Sequence, residues 1–237
     1  MSELMSNEGK NQNIEVDGKV FARFPIKTHV VTAADKITDV ALRYAKEHMS
    51  GDDILFISEK CVACSQKRAI PMVDIHPSRL AKFLCKFVYK SPYGIGLGIP
   101  ETMEMAIREC GAPRLLFAAA ISAVGKLFHK RGWFYRFAGY RAESIDGPTP
   151  NTLPPYNTCV VLGPENPDKV AREIDAAIGF RVAIVDVNDL AGKILGVSRD
   201  DMDHEYIARI LKDNPLGQSA QQTPMGIIRE VVAGNAE

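Results

Sequence analysis

The stretch VAIVDVNDLAGKILG, residues 182–196, decides the fold prediction for this chain. It begins as a continuous apolar, β-branched run, which is typical of a strand that is buried on both faces. The run stops at Asp186, Asn188 and Asp189, and a glycine, Gly192, follows three residues later. Carboxylates and amides are costly to remove from water unless a ligand or hydrogen bonds compensate them. The stretch therefore predicts a buried strand ending at a metal ion, at a phosphate-bearing ligand held through a metal, or at a solvated turn.

Other apolar runs predict further strands at residues 54–58, 159–163 and 225–232, and an opening strand with its loop at residues 20–31. Helical spacing of apolar residues predicts helices at residues 38–49, 78–90, 100–110, 168–178 and 203–212. Residues 115–128 fit a helix, but the HKRG turn and the WFYRF run that follow favour a β-hairpin. Because strands and helices do not alternate strictly, the pattern predicts an α+β fold with mixed sheets.

Residues 1–19 are polar and mixed in charge, which predicts a flexible lead-in. The catalytic domain is expected over residues 20–237, as one domain or as two interlocked subdomains.

The bulk composition excludes several functional classes. Lys plus Arg is 29 and Asp plus Glu is 29, so the chain has no net positive charge that would attract a nucleic acid. The longest apolar run, residues 115–124, is shorter than the roughly 20 residues that cross a bilayer. The first residues lack the apolar centre of a signal peptide, and the odd number of cysteines, 5, is typical of reduced thiols. A cytoplasmic protein with no membrane partner is expected.

Two more polar segments are candidates for chemistry. Asp146 follows an apolar residue and precedes a glycine, which predicts a second acidic turn. This turn and the one at residues 186–189 could bind the same metal ion. The segment 213–230 carries a polar cluster directly before an apolar strand, composed of Gln218, Gln221, Gln222 and Thr223. Amide oxygens can bind metal or ribose, although separate solvated turns explain each segment equally well.

The order of four segments resembles the coenzyme F(420):L-glutamate ligase family, the gamma-glutamyl ligases. These segments are GDDILFISEKCVACSQKR, SIDGPTPN, RVAIVDVNDLAGK and NPLGQSAQQTPMGIIR, within residues 24–231. The resemblance implies a homodimer that uses GTP and Mg²⁺ or Mn²⁺, with K⁺ as a further candidate. It also implies a reaction in which an acceptor carboxylate becomes an acyl phosphate and L-glutamate attacks it to form an amide.

The same resemblance implies the site residues. Asp146 and Asp189 would be catalytic metal ligands, with Asp186 and Asn188 as close alternatives and Gln218 near a second metal. The nucleotide-binding residues would be His29, Val30, Val31, Thr32, Glu59, Lys60, Asn151, Gly217, Gln218, Gln221 and Thr223.

Some family features are missing from this chain. Family members carry a Ser-Lys pair where this chain has Ala63 and Cys64, and the acidic loop is lengthened by Pro148 and Pro150. The chain is therefore expected to be a ligase with a small-molecule acceptor, or alternatively a nucleotide- and metal-binding homologue without turnover.

Two remaining motifs allow simpler interpretations. Cys61 and Cys64 have CxxC spacing but no second pair for zinc, so buried free thiols are expected. Residues 126–141 interleave basic and aromatic side chains, which fits an anionic aromatic ligand, single-stranded RNA, a dimer contact or a basic hairpin tip.

Overall fold

A computed structural model describes residues 4–88, 95–128, 132–150, 152–188, 192–217 and 221–231. The chain divides into two compact units. The first unit contains residues 1–67 and 164–237, and the second contains residues 68–163. The first unit is thus assembled from both ends of the chain.

Strands of the described residues form two sheets. They are β1 (Asn13–Val16), β2 (Lys19–Ile26), β3 (Ile54–Ser58), β4 (Ala69–Pro71), β5 (Cys159–Val161), β6 (Arg181–Val187), β7 (Gly192–Val197) and β8 (Met225–Val231). The first unit holds a six-stranded sheet in the order β1, β2, β8, β3, β6, β7. Its neighbours are antiparallel, except for the parallel pair β3 and β6. In the second unit β4 and β5 form an antiparallel pair.

Helices accompany both sheets. In the described residues they are α1 (Ile37–Tyr44), α2 (Glu59–Ser65), α3 (Arg79–Leu84), α4 (Pro100–Cys110), α5 (Ala112–Leu127), α6 (Trp133–Ala138), α7 (Tyr140–Glu143), α8 (Pro167–Ile178) and α9 (His204–Ile210). With these helices and a mixed sheet, the fold is α+β, as the sequence predicts. No helix within the described ranges has the length and apolar content needed to cross a lipid bilayer.

The predicted buried strand is confirmed as β6. Val182 and Ile184 pack in a core with α1 and α8, whereas Ala183 and Val185 pack in a separate core with α9. Successive side chains point to opposite faces of a sheet, and here both faces are covered by helices. A continuous apolar run is the sequence pattern that such a strand requires.

Part of the expected lead-in is ordered as a strand. Residues 13–16 form β1, which pairs with β2 along its whole length. Upstream, Asn7 donates a hydrogen bond to the carbonyl of Pro215 (2.9 Å), and the Lys10 ammonium donates to the carbonyl of Asp213 (2.8 Å). Within the expected lead-in, these backbone and side-chain bonds therefore hold Asn7, Lys10 and residues 13–16 on the first unit.

The β-hairpin prediction for residues 115–128 and the aromatic run after them is wrong. Both stretches are helical, in α5 and α6. Leu115 and Ala118 are fully buried in the core of the second unit, on one side of α5. Alanine and leucine are among the strongest helix formers, and their density in this run outweighs the turn signal after it.

The CxxC segment is also helical rather than a continuation of a strand. Cys61 and Cys64 lie in α2, and both are buried free thiols. Burial raises the pKa of the Cys61 thiol well above its ordinary value. The Cys61 thiol is therefore protonated, and both side chains are packed as small apolar groups, as expected for a buried pair.

Candidate functional site

Three of the predicted nucleotide-binding segments meet at one end of the six-stranded sheet. Strand β2 ends with Ile26 opposite Met225, the first residue of β8. Strand β3 pairs Ile57 with the same Met225. The loop after β2, the start of α2 after β3 and the segment before β8 therefore leave the sheet at the same edge.

Hydrogen bonds join these segments directly. The Thr28 amide donates to the carbonyl of Gln222 (3.2 Å), and the Gln222 side-chain amide donates to the carbonyl of Thr28 (2.6 Å). The Ser58 amide donates to the carbonyl of Pro224 (2.8 Å). Consequently His29–Thr32, Glu59–Lys60 and Gln221–Thr223 are neighbours in the first unit, although they are far apart in sequence.

Asp186 lies at this same end of the sheet. Strand β6 runs parallel to β3 and places Val185 opposite Ser58, so Asp186 follows one residue beyond the paired edge. Its half-buried side chain is on the sheet face of Ile184, two residues earlier. One of the candidate metal carboxylates is thus beside the segments expected to hold the nucleotide.

The loop after β2 is held in place by Asp35. This carboxylate accepts from the backbone amide (2.7 Å) and hydroxyl (2.9 Å) of Thr32, and lies 3.0 Å from Nε2 of His29. The backbone hydrogen bond from Thr32, followed by the contact with His29, lowers the pKa of Asp35. An ionised carboxylate only accepts hydrogen bonds, so the Nε2 proton of His29 faces Asp35.

The other nitrogen of His29 meets a phenol. In the neutral imidazole, Nδ1 accepts a hydrogen bond from the Tyr44 hydroxyl, 3.0 Å away. Asp35, His29 and Tyr44 therefore form a continuous chain of hydrogen bonds from the loop to the end of α1. Such a chain fixes the ring of His29 and can transmit a proton.

The segment before β8 requires a glycine. A Cβ atom at Gly217 would lie 2.6 Å from the side-chain carbon of Gln221, and the φ angle of +79° disfavours other residues. Thr223 donates its hydroxyl to the carbonyl of Leu216 (2.8 Å) and accepts from the Asn7 side-chain amide (2.9 Å). Gly217 and Gln221 are therefore close to each other, and Thr223 is held against Leu216 and Asn7.

A cavity of about 610 Å³ opens beside these residues. Its lining includes the end of β2, residues 4–8 and the end of α1, together with Gln221 and Thr223. Lys27 and Arg43 contribute positive charge to it, and Glu8 and Glu47 contribute negative charge. A cavity of this size can admit a small polar molecule.

Glu59 and Lys60 differ in their surroundings. Glu59 is buried at the start of α2, whereas Lys60 is exposed. An exposed ammonium can neutralise a phosphate group. A surface lysine without such a role would be equally exposed. Ala63 and Cys64, which stand where the family has Ser-Lys, are buried in the same helix.

Asp146 belongs to the second unit. Its backbone exchanges two hydrogen bonds with Val161 (2.8 and 2.9 Å), directly after the buried Ile145. A Cβ atom at Gly147 would lie 2.9 Å from Ile95, so the glycine allows the chain to pass close to its neighbour. The half-buried Asp146 is therefore positioned by a fixed backbone, in a different unit from Asp186.

Three predicted site residues, Asn151, Asp189 and Gln218, lie outside the described residues. The described part of the chain contains no group of three or more His, Cys, Asp or Glu side chains able to hold a metal. Asp186 and Asp146 offer the hard oxygen donors that Mg²⁺ and Mn²⁺ prefer, one in each unit. Convergence of these carboxylates on one ion cluster stays a prediction.

Sequence reasoning missed Thr28, Asp35 and Tyr44. The T-x-x-D spacing of Thr32 and Asp35, just before the apolar positions of α1, is a capping pattern that could have identified Asp35. Thr28 and Tyr44 carry no comparable local signal, because their roles depend on contacts with Gln222 and His29 that arise only in the folded chain.

Comparison with protein-family models gives a match. The model of the family described as F420-0:Gamma-glutamyl ligase matches residues 25–199, which is most of the chain. The matched range includes His29–Thr32, Glu59, Lys60, Asp146 and Asp186, and it ends before Gly217. No curated protein matches the chain.

Proposed function

This chain belongs to the F420-0:gamma-glutamyl ligase family, and on that premise we propose that it is a GTP- and divalent-metal-dependent ligase. It joins L-glutamate, or a similar amino acid, to a phosphorylated cofactor such as coenzyme F(420)-0. The observation that carries the proposal is the meeting of His29–Thr32, Glu59–Lys60 and Gln221–Thr223 at the sheet end where Asp186 lies.

In the proposed reaction, a carboxylate oxygen of the acceptor attacks the γ-phosphorus of GTP and GDP leaves with the bonding electrons. The amine of the amino acid, after losing a proton, then attacks the acyl carbon. The bond from this carbon to the phosphate oxygen breaks, which leaves an amide and phosphate. Proteins catalyse such transfers mainly by positioning the reactants and stabilising charge.

Residues of this chain would position the reactants and stabilise the charge. Lys60 would neutralise phosphate charge, and the loop fixed by Asp35 would provide backbone groups for the nucleotide. Asp146, Asp186 or Asp189, and Gln218 would hold Mg²⁺ or Mn²⁺. When bound, such an ion offsets the negative charge of the triphosphate. A cytoplasmic homodimer, with K⁺ as an additional ion, completes the proposal.

Turnover tests the proposal directly. Purified protein is incubated with GTP, Mn²⁺, L-glutamate and F(420)-0, and the products are analysed for GDP and for acceptor extended by one glutamate. We expect both products only when all reactants are present. GDP release without acceptor, or no GDP under any combination, would contradict the ligase.

Nucleotide binding can be tested separately from turnover. We expect Asp35→Asn to weaken GTP binding about tenfold, because the loss of the charged acceptor releases Thr32 and His29. Asp39→Asn, at an exposed position in the first turn of α1, is the matched control. Equal GTP affinity of the two variants, measured by calorimetry, would show that this loop does not contribute to GTP binding.

A second candidate function has its own supporting observation. The positions of the family's Ser-Lys pair hold Ala63 and Cys64, which are buried and offer no cation. A nucleotide- and metal-binding homologue without turnover, acting as a sensor or partner module, is consistent with that loss. GTP with Mn²⁺ would then raise the melting temperature, while no GDP forms across a panel of acceptors.

A further inference from the structure

The second unit exposes a cluster of large apolar side chains on two adjacent helices. Leu116 and Phe117 are on the first half of α5, Val124 is on its second half, and Phe128 follows the helix. Phe137 of α6 contacts Phe117, with 6.0 Å between the ring centroids. These five side chains, which we call the α5–α6 face, are between 36 % and 66 % exposed.

Helical spacing makes this cluster continuous. Phe117, Val124 and Phe128 are separated by seven and four residues, so they lie along one side of the helical path. The opposite side carries Leu115 and Ala118, which are fully buried in the core. Single exposed apolar residues are common, but a continuous aromatic and aliphatic face marks a surface that binds something.

Of the described charged side chains on α5, α6 and α7, three are basic (Arg114, Arg136 and Arg141) and one is acidic (Glu143). Residues 111–142 contain no Asp or Glu, and they contain six basic residues, which are Arg114, Lys126, Lys130, Arg131, Arg136 and Arg141. The whole chain is balanced, with 29 basic and 29 acidic residues, so this segment is a local concentration of positive charge. Arg114, Arg136 and Arg141 are exposed. The occupant of the face should therefore be apolar and negatively charged.

We propose that the α5–α6 face docks on the surface of an anionic phospholipid membrane. The apolar side chains enter the boundary between headgroups and acyl chains, and the exposed Arg114, Arg136 and Arg141 bind lipid phosphates. A helix lying in the interface needs no spanning length, so the absence of a spanning helix from the described residues is compatible with this role. The expectation of no membrane partner rested on spanning length and stays a prediction, which surface attachment would contradict.

Charge favours a lipid surface over two other occupants. A second copy of the chain joined through the same face by two-fold symmetry would bring the two positive segments together. A homodimer would therefore use another face. Single-stranded RNA would satisfy the positive charge and stack on the aromatic rings, but it would leave Leu116 and Val124 without apolar partners. Lipids satisfy both kinds of side chain.

Vesicle binding by the whole protein tests the proposal. We expect cosedimentation with phosphatidylcholine vesicles that contain phosphatidylglycerol, weaker binding at high salt, and little binding to phosphatidylcholine alone. The double variant Phe117→Glu with Val124→Glu should bind about tenfold more weakly, because two charged groups replace buried apolar contacts. Val73→Glu, at an exposed valine of the same unit outside the face, is the matched control and should bind like the natural protein.

A second measurement needs no substitution. Trp133 is the single tryptophan of the chain, and its ring packs beside Phe137 (6.4 Å between centroids). Its fluorescence should shift to shorter wavelength when anionic vesicles are added. No vesicle binding, vesicle binding that the double variant retains, or a dimer that the double variant dissociates would overturn the proposal. Tighter binding to single-stranded RNA than to anionic vesicles would also overturn it.

Discussion

A fully buried arginine ties the first unit together at the scale of single residues. Arg23 of β2 is 0 % exposed, and its guanidinium forms a two-pronged ion pair with Asp213. Its remaining hydrogen bonds go to the carbonyls of Ile210, Asn11 and Gln12. These contacts connect β2 to the residues before β1 and to the end of α9. Each N–H group of the guanidinium therefore donates a hydrogen bond.

Removing the charge of Asp213 should destabilise the protein strongly. We expect Asp213→Asn to lower the free energy of unfolding by about 2–4 kcal/mol, since a buried guanidinium then lacks its counter-ion. Asp200→Asn, at an exposed position of the same unit, should change it by less than about 0.5 kcal/mol. Chemical denaturation of both variants measures the difference, and equal midpoints would show that the pair contributes nothing.

The same pair predicts how stability depends on pH. Burial alone would raise the pKa of Asp213, but the hydrogen bonds and charge of Arg23 outweigh burial and lower it. The stabilisation is therefore complete above the ordinary carboxyl pKa of about 4 and is lost as the pH falls through the lower folded-state value. The difference in melting temperature between the natural protein and Asp213→Asn should shrink below about pH 4. A constant difference would contradict this.

Sequence patterns could not predict this pair. Asp213 precedes Asn214 and Pro215, which is typical of a solvated turn, and Arg23 is a lone charge in an apolar strand. Their pairing joins residues 190 positions apart. By contrast, Asp186 could be located from the sequence, because the end of an uninterrupted apolar strand is a local feature.

At the scale of elements, the centre of the sheet depends on a close approach between β3 and β8. A Cβ atom at Gly226 would lie 2.5 Å from the ring of Phe56 and 2.9 Å from the carbonyl oxygen of Phe24. Phe56 is fully buried in the core that also contains α9. The large ring therefore occupies the space that the missing side chain leaves.

Filling this space should destabilise the sheet. We expect Gly226→Ala to lower the free energy of unfolding by about 1–3 kcal/mol through overpacking. Adding Phe56→Leu should make the two changes non-additive, because the smaller side chain relieves the contact with the new methyl group. Thermal unfolding of both single variants and the double variant gives the coupling, and strict additivity would indicate that the ring and the glycine do not interact.

Helices and strands were predictable to different extents. The strand β6 and the helix α8, with Pro167 at its start and Gly179 after its end, follow from local signals. Residues 115–128 carried two conflicting signals, alanine-rich helical spacing and an aromatic run after a turn. Their outcome depends on the core of the second unit, where Leu115 and Ala118 pack. A tertiary contact of this kind is not visible in a local pattern.

At the scale of the whole molecule, the proposed metal ligands are divided between the two units. Asp186 stands with the nucleotide segments in the first unit, and Asp146 is held against Val161 in the second. The sequence predicts the α+β class, but no local pattern indicates that residues 1–67 and 164–237 form one unit. These two segments are separated in sequence by the whole of the second unit. The single-domain prediction for residues 20–237 stays a prediction.

Manganese binding in the presence of a non-hydrolysable GTP analogue tests the central claim, that carboxylates of the two units hold one metal–triphosphate cluster. Free Mn²⁺ is measured by electron paramagnetic resonance. Asp146→Asn, and at least one of Asp186→Asn and Asp189→Asn, should weaken binding about tenfold or more. The exposed controls Asp74→Asn and Asp200→Asn should bind Mn²⁺ like the natural protein. Unchanged Mn²⁺ affinity in Asp146→Asn would contradict the claim.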